Sequence, residues 1–138
     1  MTGQKAIEYM TPPGAPKAVA GGTYSYGVKV KPGASFIFVS GLGPVDDKGK
    51  GLVGFDIYTQ TCQVMDNIKK VLEEAGATMD DVVIAHISVP DHIWKNWERY
   101  TDAYNTYFKQ CPAAVLAGGP IFVHGHGQLI QIDVVAAI

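Results

Sequence analysis

Hydrophobic positions along this chain recur with two different periods. In the first third they come as short runs, Tyr26 to Val30 and then "SFIFVS" at 35–40, separated by Lys31-Pro32-Gly33. Runs rich in β-branched and aromatic residues on either side of a Pro-Gly signal predict an antiparallel hairpin. The second run is apolar almost throughout, so both of its faces are expected to be covered. Residues 1–20 are punctuated by proline and glycine and are expected to be irregular. "GPVDDKGKGLVG" at 43–54 is turn chemistry.

From Asp56 to Ala75 the period lengthens. Val64, Met65, Ile68, Val71 and Leu72 follow the spacing of an amphipathic helix, and Gly76 suits its left-handed C-terminal cap. "DDVVIAHISV" at 80–89 reads as a strand that Pro90 ends, with Asp91 as N-cap of a helix over about 92–109. That helix places Ile93, Trp97, Tyr100, Tyr104 and Phe108 on one face, and Pro112 breaks it. Apolar runs at 113–117 and 129–138 predict two further strands joined by a Gly/His-rich connection. The order β-β-(β)-α-β-α-β-β predicts an α+β fold in which two helices cover one face of a mixed sheet. The strands are apolar on both sides, so the other face needs a cover, and another copy of the chain is the expected one.

Composition narrows the classes. The 138 residues fit one domain, 47% hydrophobic and 17% charged, which excludes a disordered chain. The net charge is −2 and the Lys and Arg residues are scattered, so the clustered cations that nucleic acid requires are lacking. Cys62 and Cys111 lack metal-ligand spacing and read as buried thiols in a reducing compartment. No apolar run is long enough to cross a membrane and no leader pattern opens the chain, so a cytoplasmic protein without a membrane partner is expected.

Candidate chemistry follows from residue type and place. "VHGHGQ" at 123–128 sets His124 and His126 two apart between glycines. They are a proton-transfer pair, one arm of a metal site, or exposed residues of a glycine-rich turn. His86 and Ser88 share one side of the 82–89 strand, where His86 is either a group reaching a cleft or a hydrogen-bonded interface residue. Asp133 is a base or an ion-pair partner, and Gln131 can hold a water or a carbonyl. His92 beside the second helix is expected to be exposed. The glycines at 118, 119, 125 and 127 do not form a nucleotide-binding loop.

The segments "TYSYGVKV" (23–30), "FIFVSGLGPVD" (36–46), "TQTCQVMDNIKKVLEEAGATMDDVV" (59–83), "YTDAYNTYFKQCPA" (100–113) and the terminal "LIQIDVVAAI" together resemble the Rid (YjgF/RidA) family over about residues 20–138. The resemblance implies a chorismate-mutase-like fold and a homotrimer with a barrel-like core and small-molecule clefts between subunits. It also implies cofactor-free hydrolytic deamination of enamines or imines, some members acting on aminomuconate-like metabolites. Tyr24, Ser40 and Gly41 match family cleft positions. Family deaminases carry Pro-Ala-Arg after the second helix, the arginine gripping a substrate carboxylate. Here that stretch is Pro112-Ala113-Ala114, with Leu116 where many members have cysteine. Gln131 stands where a water-orienting glutamate is usual, and Asp133 at the second acidic position. The expected protein is therefore an atypical member, with Gln131, Tyr24, His124 and His126 as catalytic candidates. Ser40, Gly41, Ala114, Leu116, His86 and Asp133 are expected to contact substrate. Either an imine or enamine is hydrolysed, or the arginine-less cleft runs another reaction such as tautomerisation or cyclisation, or the trimer only binds a ligand.

Overall fold

The long apolar stripe forms α1, Ile57–Glu74. Its start is fixed by Asp56, whose carboxylate accepts the Thr59 N–H at 3.0 Å. Its end is a left-handed turn at Gly76 (φ +79°), where the Ala77 N–H reaches Leu72 O (2.8 Å) and the Gly76 N–H reaches Glu73 O (3.0 Å). Those two bonds satisfy carbonyls that a helix end would leave unpaired, and only glycine adopts such a φ without strain. Val64, Met65, Ile68 and Leu72 are completely buried. The computed structural model describes residues 5–14, 24–49, 51–119 and 125–138.

Four strands form the sheet beneath α1: β3 (Phe36–Leu42), β4 (Val82–Val89), β5 (Ala113–Gly118) and β6 (Gln131–Ala137). Their order is β3-β6-β4-β5, with β4 and β5 parallel and the other pairs antiparallel. The second helix, α2 (Trp97–Asn105), packs beside α1 on the same face. The expected mixed sheet with two helices over one face is therefore present. The core between the layers gathers Val39, Ala85, Ile87, Ile132 and Val134 from the sheet with Tyr100, Tyr104 and Phe108 from the α2 region. Neighbouring rings of Trp97, Tyr100, Tyr104 and Phe108 lie 5.0–5.3 Å apart, as the helical spacing of aromatic residues predicts.

Three expectations change. The strand pair at 26–40 is not a hairpin, although the turn is real: Ala34 N–H bonds Lys31 O, and Gly33 has φ +86°. Instead β2 (Gly27–Val30) pairs with β1 (Ile7–Met10), while β3 pairs with β6 at the C-terminal end of the chain. A near-continuously apolar strand gains more from a place at the edge of the four-stranded sheet, beside β6 and under α1, than from a two-stranded ribbon. The region expected to be irregular thus contains β1, whose alternation of Ile7 and Tyr9 with polar Glu8 the surrounding glycines and prolines obscure. The second helix is also shorter than 92–109. A 3₁₀ segment covers Asp91–Asn96 with Pro90, not Asp91, at the cap, and the N–H groups of Thr106, Tyr107 and Phe108 bond three residues back.

Candidate active site

Pairing divides the sheet residues between two faces. Opposite the helices, on the open face, β6 presents Gln131, Asp133, Val135 and Ala137, and β4 presents Ser88, His86 and Ile84 in register with them. Phe36, Phe38 and Ser40 continue this face on β3, and Val115 on β5. The result is a face split lengthwise. One half is apolar, with Phe38 76% exposed and Phe36 52% exposed. The other half, at the ends carrying Ser40, Gln131 and Ser88, is polar.

Three features build the polar half. A bulge in β3 comes first: Val39 pairs with Val134 and Leu42 with Ile132, so Ser40 and Gly41 together face Asp133. Glycine at 41 leaves room for a neighbour, because a Cβ there would lie 2.6 Å from Gln131 Nε2. Gln131 therefore lies against Gly41. Third, His86 and Asp133 are direct cross-strand partners, and His86 Nδ1 meets Asp133 Oδ2 at 2.9 Å with both side chains 44% exposed. An ionised carboxylate only accepts hydrogen bonds, so Nδ1 carries the proton and Nε2 is left as the free ring nitrogen. Asp133 thus finds its partner within its own chain. Ser88 lies one step along, opposite Gln131.

The remaining candidates fall elsewhere. Ala114 pairs with Ala85 and Leu116 with Ile87, so both share the helix-facing side of the sheet and pack on the core. They are not grouped with Gln131 and His86, and no cationic side chain stands at position 114. Tyr24 is half-buried and meets the Tyr26 ring edge-on at 5.6 Å. Its loop is tied to the entry of β5, since Ser25 donates through N–H to Pro112 O (3.0 Å) and through Oγ to Cys111 O (2.6 Å). His126 is exposed in a turn whose flanking glycines have φ +107° and +95°. His124 lies outside the described residues. His92 is exposed and borders a separate cleft of about 540 Å³ with Phe55, Ile57, Arg99 and Leu129. Cys62 and Cys111 are half-buried rather than buried, and burial raises the pKa of the Cys111 thiol, away from a reactive thiolate. Among the described residues no group of three or more His, Cys, Asp or Glu side chains is arranged to hold a metal ion. No described helix is long and apolar enough to cross a membrane.

Two residues that shape the loops escaped the sequence reading. Buried Gln60 donates to Gly54 O and Gly127 O and accepts the Leu129 N–H (3.2, 2.8 and 2.7 Å), clamping the turn around His126 to α1. Asn67 Nδ2 donates to Gly43 O and Val45 O, which fixes the chain leaving the β3 bulge. For Gln60 the signal is a polar residue within an otherwise apolar helical stripe, since a buried amide must find partners; half-buried Asn67 carries no such mark.

Known proteins share this architecture. The family model described as Endoribonuclease L-PSP matches residues 15–138. A RutC family protein of Saccharolobus solfataricus is 43% identical over 100 residues, covering 72% of this chain and 74% of its own. A RutC family protein of Pyrococcus abyssi is 38% identical over 103 residues, covering 75% and 76%. The solved structure of the Rid-family protein YyfB from Yersinia pestis, described as of unknown function, superimposes with a TM-score of 0.86 at 24% identity over 96% of this chain and 99% of that one. RidA from an Antarctic Psychrobacter gives 0.66 at 27% identity, covering 95% and 99%. A family model matching residues 15–138, relatives this similar and this shared fold establish that the chain belongs to the YjgF/Rid family.

Proposed function

We propose that this protein is a hydrolytic deaminase of enamines or imines that carry no carboxylate at the reacting carbon, working in a cleft completed where copies of the chain meet as a homotrimer. The observation that carries the reading is Ala114. The resemblance puts a carboxylate-gripping arginine there, and this chain offers a methyl group turned toward the core. A charge-assisted link of that kind is worth about 2–5 kcal/mol when its partner is left unpaired. Losing it removes the main reason to prefer an amino-acid-derived substrate. In this reading Gln131, which lies against Gly41, holds the attacking water, and a cofactor is not required for the hydrolysis that the resemblance implies. The exposed Phe36 and Phe38 support self-association, because so much aromatic surface on one sheet face is otherwise unfavourable in water.

Family membership alone leaves nucleolytic activity open, but a net charge of −2 with scattered cations gives RNA little to hold. A tautomerase in the same cleft is the second reading, and the His86–Asp133 contact favours it, since tautomerisation needs only proton transfer.

The test compares two substrates. Ketone release from benzophenone imine, a neutral N–H ketimine, is followed beside ketoacid release from 2-aminoacrylate generated in situ. The neutral imine is expected to be the better substrate in kcat/KM by about 30-fold or more, the lower bound of the lost ion pair. Faster turnover of 2-aminoacrylate by the unaltered protein would contradict the reading.

A further inference from the structure

Among the described residues, the polar half of the open face contains one pair of groups suited to moving protons. His86 Nδ1 is engaged by Asp133 at 2.9 Å, and among the described residues nothing hydrogen-bonds Nε2. The carboxylate fixes both the ring orientation and the tautomer, the arrangement that turns an imidazole into a positioned acid or base. The neighbours do not compete for this role. On β4 they are Ile84 and Ser88, on β6 Gln131 and Val135, and on β5 Val115, so Asp133 is the sole titratable side chain flanking His86 on the three strands. Gln131 can hold a water but cannot take its proton, which leaves the proton transfers of a hydrolysis without another assigned group.

We propose that His86 is the proton-transfer residue of this site, acting through Nε2, with Asp133 as its positioning residue. The inference rests on the reading that the open face forms the small-molecule cleft. Protonated His86 gives its proton to the β-carbon of an enamine, and the nitrogen lone pair forms the C=N bond of an iminium ion. Water held by Gln131 then adds to the iminium carbon while His86 takes one of its protons, leaving a neutral carbinolamine. His86 returns that proton to the amino nitrogen. The C–N bond breaks as the C=O bond forms, ammonia leaves, and the hydroxyl proton passes back to His86. The net change is enamine plus water to ketone plus ammonia, and His86 ends as it began. The enol of a neutral ketone presents the same nucleophilic carbon as the enamine, so the same nitrogen is expected to exchange the α-hydrogens of such a ketone.

That last step gives a test independent of hydrolysis. Acetophenone or cyclohexanone is incubated with the intact protein in D₂O, α-deuteration is followed by proton NMR, and benzophenone imine hydrolysis is measured in parallel. His86→Gln is expected to reduce both by about 10²–10⁴-fold, the usual worth of a positioned acid–base group. Asp133→Asn should retain part of the rate, because Nε2 stays in reach while the carboxylate that orients the ring is gone, and the ¹⁵N spectrum should then lose the signature of a fixed Nδ1–H tautomer. A variant that is merely misfolded would show altered circular dichroism instead. Independently, the ¹⁵N spectrum of His86 in the unaltered protein should show a protonated Nδ1, with the Nε2 signal moved by added ketone. Imine hydrolysis at an unchanged rate in His86→Gln overturns the role of His86 and leaves the hydrolase reading standing. His86-dependent exchange without imine hydrolysis overturns the hydrolase reading and leaves the role standing. If the unaltered protein does neither, both fall.

Discussion

The two faces of the central sheet are made by alternate residues of the same strands, yet they follow different chemistry. On the helix face, Ala85, Ile87, Ile132 and Val134 are at most 1% exposed, and every position is apolar. On the open face the intervening residues run from Phe36 and Phe38 through Val135 and Ile84 to His86, Asp133 and Gln131. One face is finished by the chain itself. The other leaves aromatic surface bare and sets its polar groups at one end. Burial on the first face supplies the stability that lets the second carry polar and exposed aromatic groups.

Adjacent residues on β6 separate the two faces most clearly. Val134→Asp puts an unpaired carboxylate between sheet and helices and is expected to cost about 4 kcal/mol or more, enough to unfold a marginal domain. Val135→Asp, one step along and on the open face, should cost about 1 kcal/mol in urea denaturation and act mainly on self-association, read by sedimentation velocity. Comparable losses from both would erase the distinction between the faces.

Asp56 guards the start of the helix that closes the buried face. Asp56→Ala should cost about 0.5–2 kcal/mol in thermal or urea denaturation. The hydrogen bond from Thr59 is the chief cause that lowers the Asp56 pKa below 3.8 in the folded chain. A depressed carboxylate pKa means the contribution is present above the unfolded value and fades as the pH falls through the folded one. Asp56→Asn, which caps without titrating, should flatten that part of the stability–pH curve.

On the open face, Gly41→Ala should leave stability within about 1 kcal/mol, because the clash is with the mobile end of Gln131. It should nevertheless lower the imine hydrolysis rate several-fold by displacing that amide. The smallest effect belongs to Tyr104→Phe. The Tyr104 hydroxyl is buried with no hydrogen-bond partner among the described residues, and burial drives its pKa far up. Removing an unsatisfied buried hydroxyl should be neutral or stabilising by up to about 1 kcal/mol.

Local signals were readable and distant pairings were not. The stripe from Val64 to Leu72, the Gly76 cap and the aromatic face of Tyr100, Tyr104 and Phe108 depend on spacing within a few turns, and each appears as the pattern predicts except at Val71, which sits at the margin of the stripe and is exposed. The β2–β3 hairpin failed because a turn signal fixes a change of direction but not which strand pairs with which. The contact between His86 and Asp133 spans 47 residues and depends on the β4–β6 register, so periodicity could place each on a face without joining them. The same register separates Ala114 and Leu116 from Gln131, although the resemblance groups them by role. Glycine 41 was readable as a family position, but its physical reason, the Gln131 amide lying over it, is visible only in three dimensions.

Small molecules should bind the polar half of the open face and not the cleft beside α1. Titrating ¹⁵N-labelled protein with a neutral ketone such as cyclohexanone tests it most directly. Saturable shifts are expected at Gly41, His86, Ser88 and Gln131, with the residues around Phe55, His92 and Arg99 unmoved. Shifts confined to that second cleft would contradict it.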